Sequence, residues 1–148
     1  MPANPHGYWL AAVIGLSSLC PNAFAQLPAA KTSNGIAHIS GGIGDDEEIQ
    51  IRRVAKDFGL LLEFTEVERG KTHGHWSSDV TVTVKQGTVI LFTAQADGPL
   101  MVIQLKAGSY VIEAERAGVK LTRRTELKAG AAVRERFVWM VDTALQPR

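Results

Sequence analysis

From Leu60 onward the chain is written in short runs of apolar residues alternating with polar ones, and most runs end at a glycine. Val80, Val82 and Val84 alternate with Thr81, Thr83 and Lys85, the period-two pattern of a half-buried strand. Tyr110, Ile112 and Ala114 alternate in the same way with Glu113 and Glu115. Leu60–Val67, Val89–Ala96, Leu100–Leu105, Val119–Leu127 and Ala131–Val141 bring the set to about seven strands, spaced eight to twelve residues apart. Leu62 and Phe64 share a face of the first. Trp139 alternates with Phe137 and Val133, which places it in the core. Leu100–Leu105 is almost wholly apolar and reads as central. This spacing predicts a mainly β fold, an antiparallel β-sandwich or a small barrel, and the sandwich is the expectation taken forward. No strand–helix–strand alternation follows residue 60, which excludes a doubly wound parallel sheet.

One short amphipathic helix is expected ahead of the strands. Ile51, Val54, Ala55 and Phe58 fall at i, i+3, i+4 and i+7, a single apolar stripe. Asp45 is the expected N-cap, with Glu48 closing a capping box, and Gly59 is the expected stop. The acidic run Asp45–Glu48 could suggest a metal or acid–base cluster. Its place at the positive end of a helix dipole explains it without any ligand.

The first 25 residues read as an address. Tyr8–Leu19 is an uncharged run of signal-peptide length, too short to span a bilayer. Ala23-Phe24-Ala25 follows as a small-x-small cleavage pattern, so the mature chain is expected to begin at Gln26, although Met1–Gly7 carries no Lys or Arg. A buried N-terminal helix is the alternative, and Pro2, Pro5 and Pro21 disfavour it. Cys20 is the only cysteine, and Leu19 before it departs from a lipid-anchor site. The exported chain then holds no thiol for disulfides, nucleophilic catalysis or zinc. That fits a periplasmic or secreted bacterial protein. Residues 26–44 read as a linker or flexible arm, and 45–148 as a helix plus sandwich domain. With 16 Lys and Arg against 15 Asp and Glu, the net charge of +1 argues against nucleic acid as a partner.

Leu105-Lys106-Ala107-Gly108-Ser109-Tyr110-Val111-Ile112, with Ala117-Gly118 after it, resembles the L-x-x-G-x-Y-x-V signature of carboxypeptidase regulatory-like domains. Asp79–Thr83, Gly87 and Ala96-Asp97-Gly98 resemble that family's lead-in. The likeness covers roughly residues 78 to 140. It implies a transthyretin-like β-sandwich and a non-catalytic module for structural support, carbohydrate contact or protein contact. The helix and the first strand lie outside the family pattern.

Few residues carry chemistry. His73-Gly74-His75 is the one metal-like cluster, because alternate residues of an extended segment face the same way. A third ligand would come from His38, Glu66 or Asp79. Ser77, His75 and Asp79 can be drawn as a triad, yet three residues of one loop cannot form the usual relay. Glu113 and Glu115 share a strand face and invite a glycosidase reading. Pairing with Lys or Arg on a neighbouring strand, such as the one that carries Arg123 and Arg124, is the ordinary explanation. Trp76 lies in a polar loop beside the two histidines, where an exposed indole would suit a glycan or a protein partner. No phosphate loop, nucleophile elbow or H-E-x-x-H motif occurs.

The expectation is therefore an exported, non-enzymatic binding or accessory module of the bacterial cell envelope, without a cofactor. It would act through protein contacts at Trp76, His73 and His75. A carbohydrate-binding module and a small periplasmic metal-binding protein using His73 and His75 are the alternatives. No stable membrane insertion is expected.

Overall fold

The computed structural model describes residues 26–142, so the expected signal segment, its cleavage site and Cys20 lie outside the described residues. In chain order the elements are β1 (Lys31–Ser33), β2 (Ile36–Gly41), α1 (Asp45–Phe58), β3 (Gly59–Glu68), β4 (Gly74–Trp76), β5 (Thr81–Gln86), β6 (Val89–Gln95), β7 (Leu100–Gln104), β8 (Gly108–Arg116), β9 (Val119–Leu127) and β10 (Val133–Val141). One sheet runs β1-β2-β7-β3-β10, with β4 also on β3; the other runs β6-β5-β8-β9. The two sheets share a core in a sandwich-like arrangement. Leu60, Leu62, Phe64, Met101, Ile103, Phe137 and Trp139 face Val80, Val82, Val84, Phe92, Tyr110, Ile112 and Ala114 across it.

The helix spans the expected residues and covers the back of the first sheet. Ile51 and Ala55 are buried against Ile39, Leu61, Leu100 and Val102, with Val54 and Phe58 at the margin. Full burial of an aliphatic side chain such as Ile51 contributes about 1.5–3 kcal/mol. Gly59 ends the helix in the left-handed conformation, as its position predicts. The start is one residue earlier in register than expected. Gly44, not Asp45, is the N-cap, and no side chain caps it. Glu47 instead reaches back to accept the Gly42 N–H at 2.6 Å. The four acidic residues still occupy the first turn.

Three further corrections concern the strands. Residues 31–41, expected within a linker or flexible arm, form the hairpin β1–β2, and only 26–30 and 42–44 of that arm lie outside it. Asn34 and Gly35 both hold positive φ, 49° and 77°, the backbone of a tight hairpin turn that matches strand twist. β2 then pairs with β7 from His38↔Ile103 to Gly41↔Leu100, so the helix is internal to the sheet's connectivity. Inside the expected polar loop that holds His73, His75 and Trp76, β4 adds to β3. The described residues thus carry ten strands, the expected seven plus β1, β2 and β4. Finally, the sheets are not wholly antiparallel. β10 runs parallel to β3, from Val133↔Leu60 to Val141↔Glu68, because the β9–β10 connection crosses between sheets and enters beside the start of β3.

Candidate functional site

α1 packs on β2, β7 and β3, and the far half of the first sheet's outer face lies beyond that cover. Strand alternation fixes which residues stand there. Leu61, Glu63, Thr65 and Val67 of β3 share the outer face. Their register partners on β10 are Arg134, Arg136, Val138 and Met140. On the other side of β3, Trp76 lies opposite Thr65 and Gly74 opposite Val67. The rows Trp76–Thr65–Val138 and Gly74–Val67–Met140 therefore form one surface. Trp76 is 50% exposed and Met140 59%. Gly74 lets β4 lie this close. A Cβ there would stand 2.7 Å from the Glu66 carbonyl oxygen and against the Thr65 methyl.

Beside this surface sits a carboxylate that sequence reasoning passed over. Glu63 is fully buried in the middle of β3 and is met by three arginines. Arg52 of α1 binds its Oε1. Arg134 donates to Oε2 at 2.6 Å and Arg136 at 3.2 Å. Arg52 is also held by Glu48, with Nε to Oε1 at 2.9 Å. Burial pushes the Glu63 carboxyl up, but the hydrogen bonds from Arg134 and Arg52 outweigh it and hold the group below the usual carboxylate range. Arg134 and Arg136 remain more than half exposed. Each keeps guanidinium donors directed to solvent, in an orientation fixed by the buried acid. The signal was present in the sequence: one carboxylate inside the apolar run Leu60–Phe64, and an Arg-x-Arg alternation in a strand.

The expected site residues are only partly brought together. Trp76 and His75 are neighbours in β4 and so point to opposite faces. His75 is registered opposite Glu66, whose carboxylate is taken by Arg116. His73 is exposed, with Nδ1 3.1 Å from the Thr72 hydroxyl. His38 cannot join them. It is buried, paired with Ile103 opposite Leu60, six residues from Glu66 along β3, which is roughly 20 Å. Its ring meets Phe92 edge-on at 5.0 Å, and burial pulls its pKa down. Asp79 has positive φ. Among the described residues, no group of three or more His, Cys, Asp or Glu is gathered to hold a metal. Ser77 is buried and its hydroxyl donates to the Ser78 carbonyl, so the drawn triad does not form.

Glu113 pairs with Lys85 of β5 at 2.7 Å and with Lys120 of β9 at 3.5 Å, the expected cross-strand pairing, made by lysines and not by Arg123 or Arg124. Register explains it, since Glu113 lies opposite Thr83 and Thr122. The bond from Lys85 holds its carboxyl below the usual range. Arg123 instead stands over the Phe137 ring at 5.5 Å. Trp139 is core as expected, its indole N–H donating to the Val119 carbonyl. No family model matches the chain, and no curated protein is significantly similar to it.

Proposed function

We propose that the chain is an exported, non-enzymatic binding module of the bacterial cell envelope, and that its outer sheet face holds an acidic protein partner. The observation that carries this reading is the joining of Trp76, Val138 and Met140 to Arg134 and Arg136 on one face that no described element covers. Trp, Met and Arg are the residue types enriched at the centres of protein interfaces. The two oriented guanidiniums match carboxylates on the partner. Export rests on the uncharged run Tyr8–Leu19 followed by Ala23-Phe24-Ala25. The resemblance to carboxypeptidase regulatory-like domains is in keeping with a contact role. Tyr110 of that signature buries its ring and donates its hydroxyl to the Lys106 carbonyl at 2.8 Å. Among the described residues no helix is long and apolar enough to cross a membrane.

The test uses the chain from Gln26 onward as bait in envelope extract, beside Trp76→Ala and the double variant Arg134→Ser with Arg136→Ser. A protein retained by the wild type and lost from both variants, with binding that weakens as salt is raised, supports the reading. An identical retained set from all three overturns it. Capture of a glycan by the wild type, lost with Trp76→Ala alone, would assign the face to carbohydrate.

A further inference from the structure

The strongest feature outside that face is a cleft at the opposite end of the first sheet. Its volume is about 730 Å³, within the range of small-molecule sites. The end of α1, the β1–β2 turn, the β7–β8 turn and the β9–β10 loop close around it. Ile36, Leu91 and Leu105 form an apolar floor that packs directly on the sandwich core.

Lysine pairing is the telling pattern. The chain has seven lysines. Lys31, Lys71, Lys85 and Lys120 each pair with a carboxylate. The other three, Lys56, Lys106 and Lys128, have no ion pair among the described residues, and all three line the cleft. They come from three different elements, so no local sequence rule puts them together. Asp57 is the one carboxylate in the lining, which leaves two positive charges in excess. Two carbonyls of the last turn of α1, which also borders the cleft, are already hydrogen-bonded. The Phe58 carbonyl accepts the Leu105 N–H and the Ala55 carbonyl accepts the Gly59 N–H.

We infer that this cleft binds a small organic dianion, its charged head held by Lys56, Lys106 and Lys128 and its apolar body laid on Ile36, Leu91 and Leu105. Lysine suits such a head as a mobile point charge. The site is independent of the outer sheet face, because Thr65 stands roughly 20 Å along β3 from Gly59 at the cleft.

Phenyl phosphate is the probe, since above pH 7 it is a dianion with an apolar ring. Calorimetric titration is run beside inorganic phosphate and phenol, which carry the head alone and the body alone. Methyl NMR follows Ile36, Leu91 and Leu105. The expected result is saturable binding of phenyl phosphate at least tenfold tighter than of either control. The methyl groups of those three residues should shift, and affinity should fall at least tenfold in the double variant Lys106→Ala with Lys128→Ala. Both lysines are exposed, so an unchanged melting temperature accompanies the loss. Binding equal to that of inorganic phosphate, methyl shifts confined to residues outside the cleft, or full affinity in the double variant would each overturn the inference. Trp76→Ala should leave this titration unchanged, which separates it from the fate of the sheet-face reading.

Discussion

Replacing Glu63 by glutamine removes one charge and almost no volume, so it isolates what the buried carboxylate contributes. In the folded chain its two oxygens accept from Arg52, Arg134 and Arg136. Hydrogen bonds to charged groups contribute about 1.5–3 kcal/mol each when both partners are buried. Here the guanidiniums are 30% to 56% exposed, which draws each contact toward the roughly 1 kcal/mol of surface pairs. Glutamine retains one acceptor, but its amide NH₂ then faces an arginine donor with no lone pair to offer. The expected loss at pH 7 is about 2 kcal/mol, or a melting temperature lower by roughly 5–8 °C. The pH dependence is more discriminating. The folded carboxyl titrates below its unfolded counterpart. Its contribution is therefore complete above the unfolded value of about 4.3 and is lost as pH falls through the folded value. The gap between wild type and Glu63→Gln should be constant from pH 8 to about pH 5 and close progressively in more acid solution. Thermal unfolding across that series measures it. Equal melting temperatures at pH 7, or a gap that persists unchanged to pH 2, would refute the reasoning.

Gly74→Ala should detach β4 while sparing the core, because its Cβ meets the Glu66 carbonyl; hydrogen exchange should accelerate at residues 74–76 and not in β5 or β8. Gly108→Val should cost about 1–3 kcal/mol, because Gly108 holds a φ of 156° and a Cβ would lie 3.2 Å from the Gln86 amide nitrogen; urea denaturation reads it. Trp139→Ala should cost about 3–5 kcal/mol as a core truncation, against about 1–2 kcal/mol for half-exposed Trp76→Ala, compared by the same denaturation midpoints. Titration with Zn(II) or Cu(II) should give equal heats for wild type and the double variant His73→Ala with His75→Ala, since His75 faces a carboxylate already held by Arg116.

The sequence alone determined the elements whose signals are local. The stripe Ile51, Val54, Ala55 and Phe58 with Gly59 behind it placed α1 correctly, because helix period and a left-handed stop depend on neighbouring residues only. Alternation of Val80, Val82 and Val84, and of Tyr110, Ile112 and Ala114, correctly named the inward faces of β5 and β8. Asn34-Gly35 was an equally local turn signal, obscured by the polar residues around it. Period two says which side of a strand is buried, but not which strand lies beside it. That is why a cation across the strand from Glu113 could be expected but Lys85 and Lys120 could not be named, and why β10 came to lie parallel to β3. The Glu63 cluster needed α1, β3 and β10 brought together over separations of 11 to 73 residues. The cleft needed the ends of four connections in one place. Such groupings follow from sheet order and crossover, which are decided by packing the whole core at once, and no stretch of the chain records them by itself.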